Sequence, residues 1–392
     1  MTNFKQIKNG TISTPEGFSA DGIFCGLKSA GEGKLDLGII LSDSDCNWAA
    51  TYTKNNIKSA SIDYCKEIKG KIRGIIVNSG SANCCVGSQG LTDARKIATL
   101  AKEKYASKTP FLVSSTGVIG VEIPVGLIKK EINNFNPSKV GGEKFSRAII
   151  TTDSKTKNIC IEVKTSKGEF KVGGVAKGSG MVHPKMGTML GYITTDASVD
   201  SKILTDTLRE SVNISFNQID IDGDTSTNDT VVIMANGTSG QEIVNESDKK
   251  IFSEAIQYVA KFLARLIAED GEGISHLITS EVVGAINDED ALKVSNAVVS
   301  SSLVKTAVFG KDPNWGRIMM AIGNANAEMN RDKIKIYING IQISEEGKSI
   351  SFHYQSVLSA LNNFNVDIKI DLGLGKGRGI AWGSDLTEEY VI

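Results

Sequence analysis

The strongest constraint on the fold is a repeated alternation of short apolar runs with amphipathic helical patterns. Residues 74–78 form an apolar run typical of a buried strand, and residues 91–106 follow with apolar side chains at helical spacing. The same alternation occurs again further along the chain, where the apolar pattern predicts a helix over 201–212 and a strand over 231–234. This alternation predicts an α/β fold in which helices cover layered sheets.

Other segments extend the same pattern over most of the chain. Two strand-like runs, 159–163 and 170–174, predict a hairpin with Lys167 and Gly168 in its turn. A long apolar face predicts a helix that begins near Ser247. Alternating runs at 333–338 and 366–370 predict half-buried strands. A chain of 392 residues is longer than one typical domain, so we expect two.

Charge and cysteine content restrict the classes of partner. Lys and Arg total 44 against 45 Asp and Glu, which gives no basic excess for nucleic acid. Six cysteines without C-x-x-C spacing and three histidines do not predict a metal site. The chain has neither a signal-like N-terminus nor an uncharged apolar run of about 18 residues. We therefore expect a soluble cytoplasmic protein with reduced thiols and small-molecule partners, without nucleic acid or membrane.

The most informative stretch is the glycine-rich segment 175–197, VAKGSGMVHPKMGTMLGYITTDA. Local composition alone favours an ordinary connection into a strand, and KGSG lacks the full P-loop spacing. A histidine beside a proline is typical of a solvated loop. The side chains in this segment that could support chemistry are Lys177, Ser179, His183, Thr188, Thr194 and Thr195.

Segment 175–197 resembles the self-processing site of the ornithine acetyltransferase family, the bifunctional glutamate N-acetyltransferases of arginine biosynthesis. The family pattern is close to AKGSGM-x-x-P-x-M-x-TML followed by TTDA, and all of it is present here. A glycine at 187 replaces the alanine that many members have. Many blocks in the family's order make the resemblance specific, as no single block would. The further blocks are 78–83, 114–117, 151–153, 215–217, 222–230, 270–273, 309–317 and 371–386.

The resemblance implies that the chain cuts itself between Gly187 and Thr188 and then uses Thr188 as its catalytic nucleophile. A free α-amine has a pKa of about 7.7 to 8.0 and can act as a base near neutral pH. The same nitrogen is a non-basic amide in the intact chain, so cleavage must come first. Cleavage would give an α chain, 1–187, and a β chain, 188–392. We expect the two to stay associated, as α2β2.

The resemblance also assigns the groups around the nucleophile. Thr116 and Gly117 would stabilise the oxyanion through a hydroxyl and a backbone N–H. Thr151, at a strand end, would add a substrate contact, which Thr152 could also supply.

Two charged residues complete the implied substrate site. Lys177 would bind a substrate carboxylate, and Glu272 would receive a cationic amine. On sequence alone, both are typical of solvated surface charges. Three aspartates in 222–230 resemble a calcium loop only superficially, and we expect a hydrogen-bonded turn with no metal.

The fold implied by the resemblance is an αββα sandwich with a smaller C-terminal α/β part. The implied reaction is ping-pong acetyl transfer from N2-acetylornithine to glutamate without a cofactor, with acetyl-CoA as an alternative donor. One alternative is a self-processing aminopeptidase of the same superfamily. Another is an inactive relative, because family members continue into an N-x-x-Y-R-T segment beyond the point where this sequence stops, at Ile392.

Overall fold

The computed structural model describes residues 3–28, 33–183 and 189–391. These residues form two compact units. The first unit contains the described parts of 3–28, 33–178, 189–212 and 226–263. The second unit contains 179–183, 213–225 and 264–391.

Strands and helices alternate along the chain as the sequence predicts. The strands are β1 (Phe4–Gln6), β2 (Phe18–Ile23), β3 (Leu37–Tyr52), β4 (Ile72–Ser81), β5 (Phe111–Val118), β6 (Lys157–Lys164), β7 (Glu169–Lys177), β8 (Leu190–Thr195), β9 (Ile219–Asp220), β10 (Thr230–Ala235), β11 (Leu277–Ala285), β12 (Lys335–Ile338), β13 (Ile341–Glu345), β14 (Lys348–Ser349), β15 (Asn365–Asp371) and β16 (Gly377–Ser384). The α-helices are α1 (Ala60–Glu67), α2 (Gln89–Lys104), α3 (Val125–Glu131), α4 (Gly142–Ile149), α5 (Ser201–Asn213), α6 (Glu246–Ala268), α7 (Asp288–Val299), α8 (Ser302–Phe309), α9 (Trp315–Gly323) and α10 (Tyr354–Ala360).

In its described residues, the first unit contains a nine-stranded sheet in the order β1-β6-β7-β8-β10-β3-β4-β5, with β2 paired to β3. The long strand β3 joins two halves of this sheet. Its first part pairs with β2 and β4, and its last part, Asn47 to Tyr52, pairs with β10. The register shifts between Leu41 and Cys46. Such an irregularity bends a strand, so β3 belongs to both halves.

Side chains from both halves of the sheet meet in one core. Ile39 and Ile76 lie on one half, Tyr192 and Val232 on the other, and none is more than 1% exposed. The ring of Phe145 from α4 meets Tyr192 edge-on, with ring centroids 5.6 Å apart. The arrangement confirms the predicted mixed α/β sandwich.

Helices cover the outer faces of the two halves. Helices α1 and α2 contact β5 on one side. On the other side α6 packs so closely that a Cβ at Gly174 of β7 would lie 2.6 Å from Val259. Strand β8, held between β7 and β10, is buried at every residue. Double-sided burial explains its nearly continuous apolar sequence.

The second unit has its own sheet and core. Its described strands follow the order β14-β13-β12-β15-β11-β16-β9. Helices α7, α8 and α9 each begin at a side-chain N-cap, formed by Asn287, Ser301 and Asn314. Strand β15 alternates buried and exposed residues, as predicted. The strand predicted at 333–338 begins only at Lys335, because Arg331–Lys333 form a 3₁₀ turn.

Across the described ranges, no helix combines the length and the apolar character needed to span a membrane.

Candidate active site

Two parallel neighbours, β4 and β5, end together in a polar turn. Their register places Ser79 opposite Thr116 and Gly80 opposite Gly117. Gly117 has φ +130°, and a Cβ there would lie 2.4 Å from the carbonyl carbon of Gly80. Only glycine fits this contact. Thr116, the residue before Gly117, is 3% exposed. Both residues assigned to the oxyanion therefore lie at the end of β5, where it packs closely against β4.

The amide side chains of Asn78 and Asn228 stabilise this sheet edge through hydrogen bonds. The Ser115 hydroxyl donates to Asn78 Oδ1 at 2.7 Å, and Asn78 Nδ2 donates to the Ser81 carbonyl at 2.9 Å. Asn228 Nδ2 donates to the carbonyls of Ala82 and Ser115, both at 2.7 Å. Three separate sequence blocks, 78–83, 114–117 and 222–230, therefore meet in one hydrogen-bond network.

Lys177 ends β7 inside the protein, where it is 2% exposed. Its Nζ donates to Thr151 Oγ1 at 3.0 Å and to Thr116 Oγ1 at 3.5 Å. The structure thus brings Thr116, Gly117, Thr151 and Lys177 together. The expectation of a strand end at 151–153 is wrong, because these residues lie in a bend between α4 and β6. The solvated surface lysine expected from composition alone is also wrong.

Asp153 organises the charge around Lys177. Its Oδ1 lies 2.7 Å from the Nζ of Lys157 and accepts the N–H of Gly178, also at 2.7 Å, while its Oδ2 lies 4.0 Å from Lys177. Burial by itself would raise the pKa of Asp153, but the two ammonium groups and the hydrogen bonds lower it to about 2. Two buried lysines with one carboxylate leave these three groups with a net positive charge, suited to an anionic substrate group.

Lys28 is a residue that sequence reasoning missed. Its Nζ donates to the carbonyl of Leu35 at 2.7 Å. The pKa of Lys28 is lowered to about 8, mainly by burial; Asp36 opposes this shift, and the charge of Lys177 adds to it. A Cβ added at Gly80 would lie 2.5 Å from the carbonyl oxygen of Leu27, the residue before Lys28. A second amine therefore lies near the same turn, and no local sequence pattern predicts it.

The residues assigned to cleavage, Gly187 and Thr188, lie outside the described residues. The description resumes at Met189, whose N–H donates to Asp229 Oδ1 at 3.0 Å. The Asp229 side chain is fully buried, and burial raises its pKa well above the ordinary value although the Met189 N–H opposes the shift. Sequence analysis selected Asp229 only as part of a polar turn.

Two other candidates of the glycine-rich segment have structural contacts in β8. The Thr194 hydroxyl donates to the carbonyl of Ile12 at 2.6 Å. The Thr195 hydroxyl accepts the N–H of Ala197 at 3.2 Å. Both threonines are fully buried at the far end of the strand, where these bonds satisfy their hydroxyl groups.

Glu272 lies in the second unit, against the glycine-rich segment of that unit. Its N–H donates to the Ser179 carbonyl at 2.8 Å, and a Cβ at Gly180 would lie 2.5 Å from its Oε2. Within the described part of the second unit, no hydrogen bond or ion pair reaches the Glu272 carboxylate. This carboxylate is therefore suited to a cationic ligand.

The partly exposed ring of His183 contacts a buried ion pair in the second unit. Its Nδ1 lies 2.7 Å from Asp220 Oδ2, and Lys305 Nζ lies 3.0 Å from Asp220 Oδ1. Lys305 also donates to the carbonyl of Ser384 at 2.8 Å. Burial would raise the pKa of Asp220, but the charge of Lys305 and the bond to His183 lower it. His183 is a loop histidine, as expected, and its ring is 29% exposed, but a buried carboxylate holds that ring.

The loop at Asp222 is the predicted hydrogen-bonded turn. Its carboxylate accepts the backbone N–H groups of Met181, Val182 and Asp224 and the hydroxyl of Tyr390. Among the residues described, no cluster of three or more His, Cys, Asp or Glu could hold a metal ion.

A family model described as the ArgJ family matches residues 19–392. The chain belongs to the ArgJ family. An ArgJ-family member from Bacillus cereus (strain ATCC 10987), named arginine biosynthesis bifunctional protein ArgJ, is 43% identical over 399 residues, covering 100% of this chain and 97% of that protein. The family predicted from the sequence blocks is thus confirmed.

Two solved structures are similar to parts of this ArgJ-family chain. ArgJ from Bacillus halodurans is 42% identical with a TM-score of 0.49, and the match covers 51% of this chain and 95% of that chain. Ornithine acetyltransferase from Mycobacterium tuberculosis, crystallised with ornithine, is 28% identical with a TM-score of 0.42. That match covers 46% of this chain and 98% of the solved one.

Proposed function

We propose that this chain is an acyltransferase of arginine biosynthesis that moves an acetyl group from N2-acetylornithine to glutamate. The observation that carries the proposal is the position of Lys177, a buried ammonium group that donates to both Thr151 and Thr116 beside Gly117. This arrangement combines a cation for a substrate carboxylate with donors for an oxyanion. Full-length similarity to proteins named for arginine biosynthesis supports the same activity.

The first step is self-cleavage. The Thr188 hydroxyl oxygen attacks the carbonyl carbon of Gly187, the C–N bond between the two residues breaks, and the nitrogen gains a proton. Water then hydrolyses the ester, which leaves a carboxylate on Gly187 and a free α-amine on Thr188. That amine is the base that the mature nucleophile needs.

Acetyl transfer follows in two halves. The Thr188 hydroxyl attacks the acetyl carbonyl of acetylornithine while its α-amine accepts the hydroxyl proton. The same amine then protonates the nitrogen of departing ornithine, and the glutamate amine takes the acetyl group from the acyl-enzyme by the reverse sequence. Thr116 and Gly117 stabilise each tetrahedral oxyanion, a contribution whose loss typically costs about 10²- to 10³-fold in rate.

Substrate recognition depends on charge. Lys177 binds the substrate carboxylate with the surplus positive charge of its cluster, and Thr151 orients the lysine by a 3.0 Å bond. Glu272 of the second unit is assigned to a cationic amine, in keeping with a carboxylate that lacks a partner within the described part of that unit.

The remaining features of the proposal concern assembly and setting. The α chain, 1–187, and the β chain, 188–392, stay associated and form α2β2. The reaction needs no cofactor, and acetyl-CoA is an alternative donor for the same acyl-enzyme. We assign the enzyme to the cytoplasm, where its six unpaired cysteines would stay reduced.

The deciding experiment compares the wild-type chain with Thr188→Ala by intact mass and denaturing gel. Wild-type protein should separate into fragments of 187 and 205 residues and transfer acetyl to glutamate. Thr188→Ala should stay uncut and inactive, because it lacks the attacking oxygen. Thr195→Ala, which removes a buried hydroxyl from β8, should cleave normally. A wild-type chain that remains uncut would contradict the proposal and favour an inactive relative.

Product analysis separates the proposed transferase from an aminopeptidase-like hydrolase. Cleaved enzyme with acetylornithine and glutamate should form N-acetylglutamate in proportion to the ornithine released. Release of ornithine with free acetate and no acetylglutamate would identify water as the acceptor instead.

A further inference from the structure

We infer that Lys28 is a specificity-determining residue for the acceptor, and that its ammonium group binds the side-chain carboxylate of glutamate. Glutamate carries two carboxylates, and Lys177 is already assigned to the one that glutamate shares with acetylornithine. The inference rests on the proposed function and adds to it the group that distinguishes glutamate from uncharged acceptors of the same shape.

The first argument is the position of the Lys28 backbone beside the candidate oxyanion edge. A Cβ added at Gly80 would lie 3.2 Å from the Lys28 nitrogen, and one added at Gly117 would lie 2.4 Å from the carbonyl carbon of Gly80. Lys28 and Gly117 are therefore both immediate neighbours of Gly80, at the end of β4. The acceptor amine must reach the acyl carbon whose oxygen is assigned to this edge, so the rest of the acceptor lies only a few bonds away.

Asp36 fixes Lys28 to this edge. The residue lies directly before β3 and is fully buried. Its carboxylate accepts the backbone N–H groups of Cys25 at 2.6 Å, Leu27 at 2.7 Å and Lys28 at 3.3 Å. Its backbone carbonyl accepts the N–H of Ser79 on β4 at 2.8 Å. One buried residue therefore holds the Lys28 backbone and the end of β4 together.

The second argument is that the Lys28 ammonium group has donors left for a ligand. Its Nζ donates to the carbonyl of Leu35 at 2.7 Å, which uses one of its three N–H groups. Over residues 3–28, 33–183 and 189–391, no carboxylate forms an ion pair with this nitrogen, and the Asp36 carboxylate accepts backbone N–H groups instead. A partly buried ammonium group that has only a neutral acceptor is suited to an incoming carboxylate.

The third argument is the charge around Lys28. Burial is the main cause that lowers the pKa of Lys28 to about 8. Asp36 and Asp153 oppose the shift, and the charges of Lys177 on β7 and of Lys34 add to it. The amine is therefore mostly protonated at pH 7, and a bound carboxylate would stabilise this charged form.

Acceptor selectivity is the deciding measurement, because glutamine replaces the side-chain carboxylate of glutamate by a neutral amide. With the full-length chain and acetylornithine as donor, kcat/KM is measured for glutamate and for glutamine as acceptors. Wild type should prefer glutamate. Lys28→Met should lower this preference by about 10- to 100-fold, which is the effect of losing one hydrogen bond to a charged group.

The pH dependence separates a charge contact from a merely structural role. In wild type, the preference for glutamate should be full below pH 8 and should fall as the pH rises through about 8, because Lys28 then loses its proton. Lys28→Arg stays charged over this range, so its preference should persist. Dividing the glutamate value by the glutamine value removes the titration of the nucleophile, which both reactions share.

Lys34→Met is the matched control. Lys34 is an exposed lysine beside Leu35, the residue whose carbonyl accepts from Lys28, and its substitution makes the same change in net charge. The variant should keep the wild-type preference for glutamate and the wild-type pH profile. Thermal unfolding of each variant verifies that the chain is folded.

Several outcomes would overturn the inference. A folded Lys28→Met with the wild-type preference would show that Lys28 does not read the side-chain carboxylate, even if both acceptors react more slowly. An equal loss of preference in Lys34→Met would show that net charge, and not contact with Lys28, is responsible.

The inference stays testable if Lys28→Met fails to fold. Identical pH profiles of the preference in wild type and Lys28→Arg would then refute it, as would a wild-type preference that stays constant from pH 7 to pH 9. A wild-type chain that transfers acetyl to neither acceptor would instead refute the proposed function.

Discussion

Burial determines which charged residues of this chain are suited to chemistry. Lys177 and Lys157 have 2% and 0% exposure, and one carboxylate, Asp153, lies against both. A buried ammonium without a partner is strongly disfavoured, so Asp153 stabilises both lysines of this cluster. The positive charge of the candidate site therefore depends on a residue for which the family resemblance implied no role.

The pH dependence of stability should reveal this carboxylate. The pKa of Asp153 is lowered from 3.8 to about 2 in the folded chain. A lowered carboxylate pKa stabilises the fold above the unfolded value, and this contribution is lost as pH falls through 3.8 toward 2. The shift corresponds to about 2 kcal/mol. Urea unfolding of the wild type between pH 6 and pH 2.5 should show the loss.

Asp153→Asn is the matching variant for that experiment. It should lack this acid-dependent component, and it should already be destabilised at pH 7 by about 3 to 5 kcal/mol because two ammonium groups lose their carboxylate. Parallel stability profiles for the two proteins would contradict the assigned role of Asp153.

At the scale of elements, the candidate oxyanion edge depends on how closely two strands approach. Strands β4 and β5 meet through glycines at their carboxyl ends, where Gly80 and Gly117 both have positive φ, +120° and +130°. Parallel strands bring their carboxyl ends to one edge, so this contact positions Thr116 beside Lys177.

Gly117→Ala should disrupt this edge. The added Cβ would lie 2.4 Å from the Gly80 carbonyl carbon at a φ of +130°. We expect a loss of stability of more than about 2 kcal/mol, together with loss of acetyl transfer. Gly126→Ala in α3 is the control, because its Cβ would meet nothing within 4 Å. That change should stabilise the helix by up to about 1 kcal/mol with activity retained. Equal effects of the two alanines would refute the argument.

At the scale of the whole molecule, the proposed cleavage position interrupts the sequence between two paired strands. Strand β8 pairs with β7, and β10 pairs with β3, so residues from both proposed fragments form one sheet. They also share one core, in which Ile76 precedes the cleavage position and Val232 follows it. Breaking one peptide bond removes none of these contacts.

The two fragments should therefore stay together after cleavage. We expect fragments of 187 and 205 residues to elute as one species in size-exclusion chromatography and to appear together in native mass spectrometry. They should separate only in denaturant, when the shared sheet and core are lost. Separate elution under native conditions would contradict a shared core.

The sequence by itself determined the local elements and the family. Helical and alternating periodicity predicted α2, α6, the β6–β7 hairpin and β15, because these patterns depend on residues only a few positions apart. Motif blocks identified Thr116, Gly117, Thr151 and Lys177 as candidates through resemblance, and the structure brings those four together.

Only the tertiary structure decided which groups surround those candidates. The burial of Lys177, its charge balance with Asp153 and Lys157, the nearby amine of Lys28 and the contact of Asp229 with Met189 all join distant parts of the chain. Desolvation and charge proximity, which set the pKa values at this site, arise only when those parts pack together. Sequence periodicity reflects residues that are close along the chain. It therefore does not predict which distant residues pack around the candidate site.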